Sequence, residues 1–152
     1  MTTVPLPTSF GAEGIHSILS HGPGFIFVDK VESAKVDMDP PQIRAIKNVS
    51  SDAWWAKDHF SGDPMMPGVL MLEGLNQTAG ILLYFVSGGK KEPLRFVGFG
   101  GSKIRKSAFP GDRLEYFVEY LKEKRGIFRL RGEVTVNDYR CMDTTITLAK
   151  LS

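Results

Sequence analysis

Residues 64–86, PMMPGVLMLEGLNQTAGILLYFV, decide the fold of this chain. They are apolar on nearly every face of a helix, and this pattern predicts a helix buried in the interior. Pro67 suits the start of that helix, because its missing N–H would have no partner there. Gly88 and Gly89 follow the last apolar residues and mark its end. The other elements are therefore expected to wrap this helix.

The segments around the helix predict strands. Before it, residues 25–31 and 42–49 are typical of two early strands. After it, an antiparallel meander of about four strands is predicted at 94–107, 113–122, 127–136 and 139–151. The segment 127–136 is the clearest, because apolar and polar residues alternate with the period of a sheet that has one dry face.

Runs of strands around one helix indicate an α+β fold rather than alternating βαβ units. The whole chain, residues 1–152, is predicted to be a single domain in which about six antiparallel strands cover the helix. Three minor elements complete the prediction: a loose arm at 1–10, a short helix at 12–19, and a turn with a short helix at 50–60.

Composition excludes several classes of protein. The net charge of +2 is too small to indicate nucleic-acid binding. The single cysteine, Cys141, excludes an internal disulfide and a Cys-rich zinc site, and it suits a reducing cytoplasm. The first residues, MTTVPLPTSFGAEG, lack the basic start and apolar run of a secretory signal. Glu73, Asn76, Gln77 and three glycines would make residues 64–86 costly in lipid, so no membrane span is expected.

Glu73 is the one ionisable residue within the apolar helix, about two turns from its start. A buried carboxylate without a partner costs several kcal/mol or more. It therefore needs a partner, a proton or a wet cavity. A carboxyl group in that position suits a general acid, or a group that orients one.

His59 lies just before the helix, in the loop DHFSGDPMMPG at residues 58–68. An isolated histidine more often caps a turn than acts in catalysis. Here the glycines and prolines favour one loop shape, and the free N–H groups of a helix start favour developing negative charge. Imidazole can also take and return a proton near neutral pH.

The N–H groups of Gly68 and Val69 complete a plausible chemistry. They can hold a carbonyl oxygen that gains charge, while His59 and Glu73 form an acid/base pair. The sequence contains no serine elbow and no phosphate-cradling loop. One base, one acid and N–H donors suit removal of a proton beside a carbonyl, with loss of a β-hydroxyl as water.

The stretch HFSGDPMMPGVLMLEGLNQTAG, residues 59–80, closely resembles the signature of the 3-hydroxyacyl-[acyl-carrier-protein] dehydratases of bacterial fatty-acid synthesis. That family has the hotdog fold. Its pattern is His-Phe-Pro-Gly-x-Pro-x-Met-Pro-Gly-Val-Leu followed by an acidic residue on the helix. The resemblance implies that His59 is the catalytic histidine, that Glu73 is its acidic partner, and that the N–H of Gly68 or Val69 polarises the thioester carbonyl.

The resemblance covers most of residues 16–150, but the sequence departs from the family pattern at two places. Ser61 stands where the family has proline, and HGPG at 21–24 replaces a bulkier stretch. Glutamate at position 73 resembles the branch that only dehydrates. The family also implies a homodimer in which His59 faces Glu73 of a partner chain.

The resemblance further implies that the substrate arrives on the phosphopantetheine of an acidic acyl carrier protein. Lys103, Arg105 and Lys106 are the expected docking residues. No metal and no redox cofactor is expected.

Two other functions stay open at this point. A hotdog thioesterase would use a carboxylate and a helix start to activate water on the thioester. A non-catalytic subunit paired with an active homologue belongs to another class, although such a subunit has no need of His59 or Glu73.

Overall fold

The structure, a computed structural model, describes residues 9–151. In chain order it contains α1 (Ala12–Ile18), a 3₁₀ turn (Pro23–Phe25), β1 (Lys30–Lys35), β2 (Gln42–Asn48), α2 (Gly68–Val86), β3 (Leu94–Ile104), β4 (Arg113–Lys124), β5 (Ile127–Val136) and β6 (Tyr139–Lys150). The predicted long helix and six strands are confirmed. The hotdog prediction is also confirmed, because the sheet covers a central helix.

The six strands form one antiparallel sheet in the order β1-β2-β4-β5-β6-β3. The predicted four-strand meander is wrong in one respect, since only β4, β5 and β6 follow one another. Strand β3 pairs instead with β6 and forms an edge of the sheet. After β3 the chain passes the start of α2, where Met66 pairs with Ala108, and β4 therefore begins on the other side of β5.

Helix α2 lies on one face of the sheet, and its buried residues form the centre of the core. Eleven of its residues are buried: Leu70, Met71, Gly74, Leu75, Gln77, Thr78, Ala79, Ile81, Leu82, Leu83 and Phe85. The expectation of burial on all faces is wrong for a single chain. Val69 is exposed, and half-buried residues at the helical spacing, Leu72, Glu73, Asn76, Gly80 and Tyr84, continue the same stripe.

By length and composition alone, α2 could cross a membrane, with a mean hydropathy of 1.4. However, 61% of that window is buried inside the protein. Packing against the sheet therefore accounts for its apolar character, and the helix is the core helix of the fold.

The strand predicted at 25–31 forms only from Lys30 onward. Phe27 and Val28 are buried as expected, but side chains satisfy the backbone here. The Phe27 N–H donates to Gln77 Oε1 at 2.9 Å, and the Phe27 carbonyl accepts from the Tyr116 hydroxyl at 2.9 Å. These bonds replace a strand ladder, because a buried backbone group needs one partner of any kind.

Two further segments differ from the prediction. Residues 51–62 are successive turns with no assigned helix, and Trp55 is buried while Trp54 is exposed. The predicted arm lies mostly outside the described residues; within them, Phe10 pairs with Val31. The short helix α1 is confirmed, with Ile15 buried.

Gly74 lets α2 approach β4 closely. A Cβ on Gly74 would clash with the hydroxyl end of Tyr116, which is fully buried and bonded to Phe27. Burial raises the pKa of the Tyr116 hydroxyl well above its usual value, with the charge of Asp29 adding to the effect, so the hydroxyl stays a donor.

We expect Gly74→Ala to lower the free energy of unfolding by about 1–3 kcal/mol, because overpacking must displace a rigid ring and its hydrogen bond. Urea unfolding measures this effect. Gly80→Ala is the matched control, because its Cβ would meet only Leu19 Cδ2 at 4.0 Å. The control should gain up to about 1 kcal/mol from helix propensity. Equal effects at both positions would contradict the close packing.

Candidate active site

The loop that carries His59 is held by its own backbone. The Met65 N–H donates to the His59 carbonyl at 2.7 Å, and Phe60 and Asp63 exchange backbone bonds of 3.0 and 2.9 Å. Gly62 has a φ of +76°, which a glycine adopts without strain. These contacts hold the loop in one shape just ahead of α2. The glycines and prolines of the segment suit that shape.

The His59 ring is half-buried and oriented by one hydrogen bond. Its Nδ1 lies 2.7 Å from the carbonyl oxygen of Met65. A carbonyl only accepts, so Nδ1 carries the proton and Nε2 keeps a lone pair. The ring also stacks on Phe60, with centroids 4.2 Å apart. His59 thus presents Nε2 as a base.

The start of α2 offers free N–H groups. The first helical bonds run from Leu70 and Met71 to the Pro67 carbonyl, and no side chain caps the helix. The N–H groups of Gly68 and Val69 therefore precede the hydrogen-bond ladder, as predicted for an oxyanion site. A cavity of about 320 Å³ lies beside them. Ile104 packs so closely over Gly68 that a Cβ there would clash with it.

Glu73 is half-buried, with 22% of its side chain exposed. Its Oε1 accepts from Gln77 Nε2 at 3.1 Å and lies 3.4 Å from His21 Nε2. Its Oε2 lies 3.4 Å from Asn76 Nδ2. Gln77 is itself fixed, because its Nε2 also donates to the Phe25 carbonyl at 2.8 Å.

Glu73 faces a cavity of about 860 Å³ that follows the exposed stripe of α2. Apolar side chains form much of its wall, among them Ile18, Leu19, Leu83, Leu94, Phe96, Phe128 and Leu148. Charged side chains lie among its lining residues, including Lys90, Lys91, Arg95 and Lys150. A mostly apolar cavity with a few polar groups can bind an apolar chain and orient its reactive end.

Within one chain, His59 and Glu73 are not brought together. His59 is not among the residues that line the Glu73 cavity. In the part of the chain that the structure describes, the Glu73 carboxylate contacts His21, Asn76 and Gln77, and the His59 ring contacts Met65 and Phe60. The predicted pairing of His59 and Glu73 therefore remains a prediction about an assembly.

The three predicted docking residues are exposed at the end of β3 and just after it. Lys103 lies beside the helix start, where it lines the smaller cavity. Arg105 is paired with Asp143 at 2.6 Å, and its hydrogen bond lowers the pKa of the Asp143 carboxyl. Lys106 lies over the ring of Tyr139, 5.2 Å from its centroid. Part of the positive charge is thus already balanced within the chain.

The sequence analysis missed two contributors to the site, His21 and Gln77. Gln77 follows Glu73 by four residues, a spacing that places both on one helix face. It was interpreted only as a polar residue costly in lipid. His21 lies far from the signature and its proximity to Glu73 depends on tertiary packing.

Among residues 9–151, no group of three or more His, Cys, Asp or Glu side chains is placed to hold a metal ion.

Comparison with known families shows which family the chain belongs to. The FabA-like domain matches residues 19–145, which is most of the chain. The chain belongs to the FabA-like family. Several curated relatives are named 3-hydroxyacyl-[acyl-carrier-protein] dehydratase FabZ. The Aeromonas hydrophila protein is 38% identical over 131 residues, covering 85% of this chain and 86% of that protein.

Other relatives extend the match of this FabA-like chain. The Petrotoga mobilis protein is 38% identical and covers 88% of this chain and 93% of its own length. The Ralstonia nicotianae protein is 34% identical, and the match covers 97% of this chain and 90% of that protein. Solved structures share the fold at low identity. The dehydratase heterocomplex ApeI:P from Xenorhabdus doucetiae has a TM-score of 0.75 at 13% identity, with 91% of each chain covered.

A second solved structure also shares the fold. A hypothetical thioesterase with coenzyme A from Streptococcus pneumoniae has a TM-score of 0.60 at 12% identity, covering 80% of this chain and 87% of that one. At such identities these likenesses establish the fold alone. The sequence prediction of a hotdog dehydratase family is therefore confirmed by the curated relatives and the matched domain.

Proposed function

We propose that this chain is a hydro-lyase that dehydrates 3-hydroxyacyl thioesters on acyl carrier protein during fatty-acid synthesis. One observation carries the proposal: FabZ relatives at 34–38% identity match 85–97% of the chain. The site is consistent with this reaction, because Glu73 and the free helix N–H groups border cavities, and His59 lies in the loop just ahead of the same helix.

The reaction needs three groups. His59 Nε2 takes the proton from the carbon beside the thioester carbonyl, and the N–H groups of Gly68 and Val69 hold the oxygen that gains charge. The C–H electron pair then forms the new double bond. The C–O bond to the β-hydroxyl breaks, Glu73 orients or protonates the leaving oxygen, and water departs. His59 returns the proton it took to the leaving oxygen; where Glu73 has protonated that oxygen, the proton on His59 goes to the Glu73 carboxylate instead.

The working form is proposed to be a homodimer in which His59 of one chain faces Glu73 of its partner. The free edge of β3 supports this, since an exposed strand edge is a template for pairing. Exposed apolar side chains lie on β3 and beside the catalytic residues: Phe96, Val97, Ile104, Val69 and Phe60. Surface apolar residues gathered in this way mark an interaction site.

Three parts of the proposal concern the setting of the enzyme. The substrate is carried by the phosphopantetheine of acyl carrier protein, and no metal or redox cofactor takes part in the steps above. The place of action is the cytoplasm, which suits the free and buried thiol of Cys141.

The carrier protein is proposed to dock on Lys103, Arg105 and Lys106. Because Arg105 is already bonded to Asp143, Lys103 is the residue with the most available charge. We expect Lys103→Glu to raise KM for an acyl-carrier-protein substrate by about two- to fivefold, with kcat unchanged, as for a charge at an interface rim.

Steady-state kinetics at two salt concentrations measure this effect, which should shrink at high salt. Lys122→Glu is the control, because Lys122 is an exposed lysine near the opposite end of the sheet. A pantetheine thioester without protein should show no change with either variant. A rise in KM with the small substrate would contradict docking at Lys103.

The function itself is tested by mass spectrometry of products from a series of 3-hydroxyacyl-carrier-protein substrates of different lengths. Dehydration leaves an enoyl group on the carrier protein that is lighter by one water. A thioesterase would instead release the free thiol, and a non-catalytic subunit would leave the substrate unchanged. Either of these two results with the purified chain would overturn the proposal.

A further inference from the structure

The two oxygens of the Glu73 carboxyl have different surroundings. Oε1 has two candidate donors, Gln77 Nε2 at 3.1 Å and His21 Nε2 at 3.4 Å. Oε2 accepts one long hydrogen bond, from Asn76 Nδ2 at 3.4 Å. A carboxylate oxygen that accepts from fixed donors loses its freedom to rotate. Oε1 is thus the more closely held oxygen, and Oε2, whose one bond is long, can still accept from a substrate hydroxyl.

Gln77 donates one hydrogen bond to Glu73 Oε1. His21 brings a second nitrogen to within 3.4 Å of the same oxygen from a different element, the segment between α1 and the 3₁₀ turn. Its ring lies parallel to that of Phe25, at an interplanar angle of 9° and a centroid distance of 6.2 Å. Gln77 bonds the backbone at Phe25, the last residue of the 3₁₀ turn, and at Phe27 just after it. The two side chains are therefore parts of one connected unit.

The protonation of His21 follows from its other nitrogen. Nδ1 is buried and, among residues 9–151, has no hydrogen-bond partner. A neutral ring with its proton on Nε2 leaves only a lone pair unpaired there. The other tautomer would bury an N–H donor there without a hydrogen-bond partner. The proton is therefore assigned to Nε2, which lies 3.4 Å from Glu73 Oε1.

We propose that His21 is a positioning residue for dehydration: it donates its Nε2–H to Glu73 Oε1 and, with Gln77, directs Oε2 toward the leaving hydroxyl. The inference rests on the proposed function, because His21 acts through Glu73. His21 and His59 then have opposite tautomers. His59 donates from Nδ1 to Met65 and keeps Nε2 as the base, whereas His21 donates from Nε2 and takes no proton from the substrate.

Three variants of His21 separate positioning from packing. His21→Gln keeps an N–H donor close to the place of Nε2, His21→Asn has its amide closer to the backbone at the place of Nδ1, and His21→Phe keeps only the ring shape. With a 3-hydroxyacyl thioester as substrate, His21→Gln should keep at least about half of kcat. His21→Asn and His21→Phe should each lose about tenfold or more, as for a lost hydrogen bond to a charged group.

The KM of all variants should stay within about twofold of the wild-type value, because the contact acts on the reacting carboxyl and not on substrate binding. Equal kcat values for His21→Gln and His21→Asn would overturn the proposal. So would variants that raise KM and leave kcat unchanged. If the wild type dehydrates normally and all three variants match it, only the role of His21 fails. If the wild type yields no enoyl product, the proposed function fails.

A measurement on the wild-type protein covers the case in which the variants do not fold. Long-range ¹H–¹⁵N spectra of the imidazole rings distinguish the two tautomers. We expect His21 to be protonated on Nε2 and His59 on Nδ1. The ring signals are assigned by comparison with spectra of His16→Ala and His59→Ala. A bare Nε2 on His21, or a His21 signal that does not shift in Glu73→Gln, would overturn the proposal.

Discussion

Replacement of His59 by alanine is expected to reduce dehydration of a 3-hydroxyacyl thioester by at least about a thousandfold, the scale of a lost general base. The reason is that, in the proposed mechanism, Nε2 of His59 is the group that takes the proton from the substrate. The measurement is the rate at which the enoyl product forms, by mass spectrometry or absorbance. The fold should persist, because His59 is half-buried and contributes one side-chain hydrogen bond.

His59→Asn makes this test sharper. An asparagine amide can replace Nδ1 as donor to the Met65 carbonyl, but it offers no base at the position of Nε2. It should therefore keep the loop and still lose activity to the same extent as alanine. His16→Ala is the control, because His16 is an exposed histidine in α1. Near-normal turnover in His59→Asn, with the control also active, would show that His59 is structural.

The sequence predicted the framework of this site because its signals are local. The apolar run at 64–86 gives a core helix wherever it packs, and the glycines and prolines before it define the loop of His59. Alternation at 127–136 gives a strand with one buried face. For these elements, the pattern of neighbouring residues carries enough information, and the observed bounds of α2 and β5 follow it closely.

The sequence did not predict features that depend on distant partners. The segment 25–29 has the composition of a strand, yet its backbone is bonded by Gln77 and Tyr116, which lie far along the chain. The approach of His21 to Glu73 has the same origin. Likewise, the pairing of β3 with β6 needs the path past Met66 and Ala108, which no local pattern contains.

The fold of a single chain does not bring the acidic residue Glu73 to His59. Free N–H groups and the His59 loop lie at the start of α2, whereas the carboxyl of Glu73 is held in a separate cavity along the same helix. A single chain thus supplies both halves of an acid/base pair without joining them. A second copy that covers β3 and the exposed stripe of α2 could join the His59 of each chain to the Glu73 of the other.

Mixing two inactive variants is expected to restore activity. Glu73→Gln alone should lose at least about a hundredfold in rate, as for a positioned acid group, and His59→Ala is also inactive. In a heterodimer of the two, one site would contain both substitutions, and the other would combine an intact His59 with an intact Glu73. Purified heterodimers should therefore show about half of the wild-type activity per dimer.

The heterodimer is obtained by co-expression of the two chains with different affinity tags and two successive affinity steps, and native mass spectrometry verifies its composition. Each variant co-expressed with itself under both tags is the control and should stay inactive. Because glutamine has the shape of glutamate, Glu73→Gln can still accept from Gln77 through its carbonyl oxygen, and the loss then reflects the missing carboxyl. A heterodimer no more active than its parents would contradict shared sites, as would a wild-type chain that is active as a monomer.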